Sequence, residues 1–322
     1  MADIITPRTL SGFMELLPKD QVLFDKIRGL LEKVYSRYGF FPLDTPILED
    51  SKILLAKAGG ETEKQIYRFS KGDSDLTMRF DLTVPLAKYV AKNYSELTFP
   101  FKRYQIGKVY RGERAQKGRF REFYQADIDI IGDGQLNIIN DAEIPSIIYS
   151  LFHEIGIDDF IIRINNRKVL NGLYEILGLK DSATDIMRII DKIDKIGRDN
   201  VVAELSEIGI DKNSVEELLK VLLFKGNNIE IIDNLKTYIG KSETFDLGIE
   251  ELQTVVEYIG VFGVPSDYYS VDLSIARGLD YYTGTVYETF IKNIQNMVAY
   301  VVAVDMIILR SIIRLNLYQE LY

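Results

Sequence analysis

The chain has 322 residues, of which 47% are hydrophobic, with a formal net charge of −9 and an isoelectric point near 5.0. This length favours a main domain of about 200 residues or more with an inserted or appended module. The acidic balance argues against a protein whose whole surface binds nucleic acid, although a local basic site is compatible with it. The absence of cysteine excludes disulfide bonds, thiolate zinc sites and a cysteine nucleophile.

The residue content also limits metal and membrane chemistry. The single histidine, His153, falls within a helical pattern, where a structural or surface role is expected, and no metal site in the protein is predicted. The first residues lack the basic and apolar regions of a secretory signal, and no apolar run before the C-terminal tail is long enough to span a membrane. We therefore expect a soluble, cytoplasmic protein without a membrane partner.

The N-terminal region predicts a long helix followed by an extended apolar segment at residues 40–46. Pro18 stands where a first helical residue is expected, and Gly39 where a glycine would end the helix. Between them, six apolar side chains recur at helical spacing: Val22, Phe24, Ile27, Leu30, Leu31 and Val34. This stripe fits either a dimer interface or ordinary packing on the chain's own core.

Two further stretches alternate as strands do. Residues 76–83 predict a strand whose polar face presents Arg79, Asp81 and Thr83. Residues 101–132 predict a hairpin with a charged turn at 113–118. One face of the hairpin collects Arg103, Gln105, Gly107, Val109 and Arg111 from the first strand, and Arg121, Phe123, Gln125, Asp127 and Asp129 from the second.

The hairpin face has two interpretations. Guanidinium groups bind phosphate oxygens, an aromatic ring stacks on a base, and carboxylates bind an ammonium or imidazolium group, so the face suits a charged planar ligand. The same residues could form a solvated strand face held by cross-strand ion pairs. Residue pattern alone leaves both open.

The rest of the chain alternates helical and extended patterns. Helices are predicted at 137–154, 166–177 and 250–262, with a short strand at 160–164. Residues 181–248 have Ile, Leu and charged side chains at helical spacing and predict a small helical module. Two strands, at 271–275 and 283–290, flank a turn that contains Gly278.

Three stretches resemble one family. RGERAQKGRFREFYQ resembles motif 2 of the class II aminoacyl-tRNA synthetases, in its histidyl-tRNA synthetase version. MRFDLTVPLAKYV resembles the segment with which that family holds the amino group of histidine, and ARGLDYYTG resembles its second histidine-specific signature. The helix and extended segment before residue 46 resemble motif 1, the dimer interface. The resemblance covers residues 8 to about 290.

The resemblance implies an α+β class II synthetase core, with a mainly antiparallel sheet flanked by helices and a homodimeric assembly. Its two parts are expected at residues 1–180 and 249–290, separated by a helical insertion at 181–248. In the family this insertion is thought to contact the acceptor stem of the tRNA. A helical lobe with no nucleic-acid role is the alternative, because the mixed charge gives no basic stripe.

The implied function is that of a histidine–tRNA ligase: histidine and ATP give histidyl-adenylate and pyrophosphate, and the histidyl group is then transferred to tRNA-His. Arg111 and Arg277 are expected to stabilise charge at the α-phosphate. The nucleotide set is Arg111, Glu113, Arg119 and Phe123, with Mg²⁺ on the phosphates. The histidine set is Asp81, Thr83, Gln125, Asp129, Tyr281 and Tyr282.

A histidine-sensing regulatory subunit of ATP phosphoribosyltransferase is the alternative function. Family relatives of this kind lack the anticodon-binding domain, and no such domain is readable in this chain. The ATP-handling residues Arg111, Glu113, Arg119, Phe123 and Arg277 oppose this alternative, since a sensor does not need them.

The tail, residues 291–322, departs from the family pattern. With codons permitted for residues 296–313, a shifted reading frame gives a Gly-Gly-Arg-Tyr-Asp run like that of the family. The codons of Met297 and Met306 force a Gly ahead of this run and the Asp within it. We therefore expect a frame-shifted tail, no motif 3, no anticodon-binding domain, weakened tRNA binding and impaired adenylation.

Overall fold

The structure, a computed structural model, describes residues 6–56, 65–115, 120–190, 192–275 and 283–291. These residues form two compact units that divide between Gln135 and Leu136. Several sequence-based predictions lie outside the described residues, namely those on Arg119, Arg277, Tyr281, Tyr282 and on the tail from residue 292 onward. Within the described ranges, no helix is both long and apolar enough to cross a membrane.

The first unit begins with the predicted helix, α1 (Pro18–Arg37). Its proline lies in the first turn, where the missing N–H is not needed. Gly39 ends the helix with a φ of 80°, a conformation that favours glycine. Two short strands, β1 (Phe41–Pro42) and β2 (Leu48–Asp50), and a short helix, α2 (Ser51–Leu55), follow.

Two three-stranded sheets complete this unit. One has the order β2-β4-β3, all antiparallel, with β3 (Arg68–Lys71) and β4 (Ser74–Met78). The other has the order β1-β5-β6, in which β1 is parallel to β5 (Phe101–Tyr110) and β5 is antiparallel to β6 (Glu122–Ile131). The two strands of the predicted hairpin are therefore confirmed, while residues 116–119 of its turn lie outside the described residues.

The predicted strand through Thr83 is wrong beyond Met78. After β4 the chain turns, and helix α3 (Thr83–Lys92) begins at the residue that the alternation had assigned to a strand. The carboxylate of Asp81 accepts a hydrogen bond from the Val84 N–H at 3.1 Å, which satisfies a free donor of the first helical turn. Pro85 also fits that turn, because no N–H is needed there.

The second unit has a small sheet centred on β7 (Phe160–Asn166), with β8 (Tyr269–Val271) parallel to it and β9 (Thr285–Ile291) antiparallel. The amide of Asn165 donates to the carbonyls of Leu273 and Ile275, so β8 ends earlier than predicted. Four of the six strand pairings in the described ranges are antiparallel, which confirms the mainly antiparallel α+β prediction.

Helices supply the rest of the second unit and confirm the helical character of residues 181–248. In chain order they are α4 (Ile139–Ile155), α5 (Arg167–Ile176), α6 (Ala183–Ile190), α7 (Ile193–Ile196), α8 (Arg198–Glu207), α9 (Lys212–Leu222), α10 (Asn228–Lys236) and α11 (Glu243–Val261).

Helix α10 is tied to the sheet by one side chain. Asn228 accepts a hydrogen bond from the Val271 N–H at 2.8 Å and donates one to the Tyr269 carbonyl at 3.4 Å. These two groups lie on the side of β8 away from β7, so the Asn228 amide takes the place of a neighbouring strand. The N-terminus of α10 is itself fixed by a capping box between Asn227 and Glu230.

We predict that Asn228→Ala lowers the free energy of unfolding by about 1–3 kcal/mol, because the Val271 N–H loses its partner. Urea denaturation of the whole chain measures this. Asn234→Ala, on the same helix, is the matched control and is expected to change stability by less than about 0.5 kcal/mol. Equal stability of the two variants would contradict the prediction.

Candidate active site

The register of the hairpin brings the predicted polar residues onto one face. Arg103 lies opposite Asp129, Gln105 opposite Asp127, and Gly107 opposite Gln125. Directly opposed residues in an antiparallel pair share a face, so the alternation derived from the sequence is correct here. The face is not a solvated one: the side chains of Arg103, Gln105 and Asp129 are buried.

An ion pair lies at the centre of this face. The Nη2 of Arg103 is 2.7 Å from a carboxylate oxygen of Asp129, and the two side chains are 0% and 5% exposed. Nη2 of Arg103 also donates to the Leu82 carbonyl at 3.2 Å. Arg103 thus connects the hairpin to the segment that carries Asp81, whose own side chain is buried.

Three carboxyl groups near Arg103 and Arg111 have pKa values above their ordinary range. Burial raises the pKa of Asp81 to about 6, although the Val84 N–H and Arg111 oppose the shift. Burial and then the neighbouring Asp129 raise the pKa of Asp127 to about 7. Burial also raises the pKa of Asp129, and Arg103 opposes that shift. Each carboxyl would be stabilised by a further positive charge.

Some polar atoms of the face have no partner within the described residues. They are the Nε and Nη1 of Arg103 and the Oε1 of Gln125. Buried polar groups in proteins are nearly always hydrogen-bonded, either to protein, to water or to a ligand. Unpaired donors and acceptors at one place therefore mark a position where water, or a polar ligand with both donors and acceptors, binds.

The mouth of the hairpin, which is the end next to its turn, has a different character. The guanidinium of Arg111 lies 5.2 Å from the ring centre of Phe123, and its Nε donates to the Phe80 carbonyl at 2.9 Å. Both side chains are half-buried, as is that of Glu113. A cation over an aromatic ring at an accessible position suits a nucleotide, whose base stacks and whose phosphates are anionic.

The structure brings together most of the described residues that the sequence singled out. Arg111, Phe123, Gln125 and Asp129 share one face of the hairpin, while Asp81 lies beside it. Thr83, at the first position of α3, is half-buried. Arg103 and Asp127 complete the charge set but were not assigned roles. The alternation of the two strands could have indicated Arg103 and Asp127 as members of the site, because it places them on the same face.

Comparison with known proteins gives the family. A family model described as histidyl-tRNA synthetase matches residues 12–300. The histidine–tRNA ligase of Clostridium tetani is 58% identical over 291 residues, which are 90% of this chain and 66% of that protein. That of Finegoldia magna is 50% identical and covers 90% of this chain and 67% of its own length. The chain spans about two thirds of the length of these relatives.

Solved structures show the same fold. Histidyl-tRNA synthetase from Nostoc sp. superposes with a TM-score of 0.83 at 39% identity, covering 89% of this chain and 66% of that one. A Bacillus halodurans protein, described as an ATP phosphoribosyltransferase regulatory subunit/histidyl-tRNA synthetase, superposes with a TM-score of 0.78 at 21% identity, covering 92% of this chain and 75% of that one.

The fold is therefore that of a class II aminoacyl-tRNA synthetase core, as predicted. Within that class, the chain belongs to the histidyl-tRNA synthetase family.

The raised pKa of Asp127 predicts a pH-dependent stability. An unfolded aspartate ionises near pH 4, whereas the folded one keeps its proton up to about pH 7, so its contribution is complete below pH 4 and is lost as the pH rises through 7. Asp127→Asn should therefore reduce the loss of stability between about pH 5 and pH 8 by on the order of 2 kcal/mol, allowing for solvent screening.

Urea denaturation at the two pH values measures this change. Asp75→Asn is the control: hydrogen bonds from Arg68 and Ser51 lower the pKa of Asp75 to about 2, so its titration falls outside the range. That variant should keep the pH dependence of the parent chain. An unchanged pH dependence in Asp127→Asn would contradict the prediction.

Proposed function

We propose that this chain binds histidine and ATP and forms histidyl-adenylate, the first half of the histidine–tRNA ligase reaction. The relatives that share its family are histidine–tRNA ligases at up to 58% identity. The observation that carries the proposal is the hairpin face, where the carboxyl groups of Asp81, Asp127 and Asp129 lie together near the guanidinium groups of Arg103 and Arg111.

This charge balance suits histidine. A bound α-ammonium or imidazolium group would add a positive charge beside these carboxyl groups, and the unpaired oxygen of Gln125 would accept a hydrogen bond from it. We assign the ammonium to Asp81, Thr83 and Gln125, and the imidazole to Asp129 together with Tyr281 and Tyr282. A pocket of this kind rejects similar amino acids because they would leave buried polar groups without partners.

ATP would bind at the mouth of the hairpin, against Arg111 and Phe123, and we assign Glu113 and Arg119 to the same nucleotide. The histidine carboxylate oxygen forms a bond to the α-phosphorus while the bond from that phosphorus to pyrophosphate breaks. Negative charge grows on the phosphate oxygens, and Arg111 and Arg277 are the fixed cations proposed to stabilise it. Loss of one such charge typically costs on the order of 3 kcal/mol in the barrier.

Mg²⁺ would enter with ATP. This ion usually keeps several waters and binds substrate phosphates with one or two carboxylates. The carboxylate of Glu113, close to the proposed phosphate site, is a suitable donor. In the described ranges, no three His, Cys, Asp or Glu side chains group as a metal site.

A regulatory role in ATP phosphoribosyltransferase is less supported. The protein whose description includes that role is 21% identical to this chain, against 58% for the ligase of Clostridium tetani. The half-buried Arg111 and Phe123 pair also favours a nucleotide site. Transfer of histidine to tRNA-His, the role of the insertion and the cytoplasmic location stay predictions.

The proposed histidine site predicts that Asp129→Ala abolishes histidine binding measured by calorimetry, because the imidazole loses its acceptor. That change also leaves Arg103 buried without its partner, so Gln125→Ala is measured beside it and should weaken binding roughly tenfold or more. Asp133→Ala, an exposed aspartate just after β6 that accepts a hydrogen bond from Tyr94, is the control. Parent-like affinity in a folded Asp129→Ala chain would exclude this site.

A homodimer is the assembly that we propose, through the segment from Gln21 to Pro46, which contains most of α1 and the strand after it. Several apolar side chains there are exposed in the single chain, including Val22 and Phe41, each 70% exposed, and Leu23 at 58%. A cluster of this kind marks a protein interface.

Light scattering at micromolar concentration should therefore give twice the chain mass, and Val22→Asp should shift the protein towards monomer. Val261→Asp changes an equally exposed valine at the end of α11 and should leave the mass unchanged. A monomeric parent chain would refute the proposed dimer.

A further inference from the structure

The N-terminal segment is bonded to the start of β6. The carbonyl of Gly12 accepts hydrogen bonds from the N–H groups of Arg121 and Glu122, at 2.7 and 3.2 Å. The carbonyl of Ser11 lies 3.4 Å from the Nη1 of Arg121. This segment therefore extends the pairing of the hairpin at the point where its two strands separate.

Arg121 in turn holds the residues that follow β5 at the mouth of the hairpin. Its carbonyl accepts a hydrogen bond from the Arg111 N–H at 2.9 Å, and its Nε donates to the Glu113 carbonyl at 3.0 Å. Arg121 thus bonds to the backbone of Arg111 and of Glu113. Both residues precede the turn and are proposed to bind the nucleotide.

Two physical reasons favour glycine at position 12. Its φ of 85° lies in the left-handed region, where a side chain is strained. A Cβ there would also be 2.8 Å from the Cγ of Arg121, closer than real Cβ atoms approach. Any larger residue would therefore displace Arg121 as well as strain the backbone.

We propose that Arg121 is a positioning residue for Arg111 and Glu113, and that Ser11 and Gly12 hold it in place. This inference rests on the proposed ATP site. The segment before α1 would then set the affinity for ATP without touching it, because Arg111 keeps its place over Phe123 only while the backbone at the mouth is fixed. The histidine side, centred on the Arg103–Asp129 pair, would be independent of it.

The test compares affinities for ATP with Mg²⁺ and for histidine, by calorimetry on the whole chain. Gly12→Ala and Arg121→Gln should each weaken ATP binding roughly tenfold or more and change histidine affinity by less than about twofold. Arg121→Lys keeps a single donor and should restore part of the loss. Gly134→Ala has a similar strain, φ 74°, but no atom within 4 Å of the added Cβ, and should bind both ligands as the parent does.

Hydrogen exchange gives a second measurement that needs no ligand. The amides of Arg111 and Glu122 should exchange faster in Gly12→Ala and Arg121→Gln, and at the parent rate in Gly134→Ala. Parent-like ATP affinity or parent-like exchange in both variants would overturn the inference. If the parent chain itself binds no ATP, the proposed function fails together with the inference, and the parent measurement alone identifies that case.

Discussion

A guanidinium and a carboxylate that are both cut off from water, those of Arg103 and Asp129, lie 2.7 Å apart at the centre of the candidate site. Burying either charge alone would be strongly unfavourable, so each holds the other in the protein interior. Arg103 also donates a hydrogen bond to the Leu82 carbonyl. The pair therefore fixes the position of the residues just before α3, which approach the hairpin there. Asp81, on that approach, is positioned by the same arginine that positions Asp129.

A second buried arginine keeps that approach in register. Arg79 donates to the Lys108 carbonyl at 2.8 Å and binds the Thr45 carbonyl. Its guanidinium occupies the space above Gly107, where a Cβ would be 2.5 Å from Nη2. These two hydrogen bonds of Arg79 go to backbone carbonyls of the protein, whereas Arg111, 5.2 Å from the ring centre of Phe123 at the mouth, is half-buried and accessible to a ligand. Neighbouring arginines of one site thus have separate physical roles.

Local signals account for what the sequence predicted well. Pro18 and Gly39 gave the ends of α1 because both act through their own backbone geometry, and the ten-residue alternation of β5 and β6 gave the shared face. The alternation failed beyond Met78, where the Asp81 carboxylate and Pro85 favour a helical turn over a strand. That signal was present in the sequence, but the prediction followed the two-residue alternation of polar and apolar side chains.

Burial was the part of the site that local pattern could not supply. Alternation placed Asp127 on the polar face, but its raised pKa depends on partial burial and on the nearby Asp129, which only the folded chain determines. For the same reason a solvated hairpin and a ligand site had equal standing from pattern alone. The buried Arg103 and Asp129 exclude the solvated face, because their ion pair is closed to water.

Charge also limits how the helical insertion could meet RNA. Residues 181–248 contain nine Lys and Arg against fourteen Asp and Glu, so their average field repels a phosphate backbone. A non-specific basic surface is therefore not the basis of any tRNA contact made there. Such a contact would depend on shape and on a few local cations, with the acidic remainder opposing binding elsewhere on the RNA.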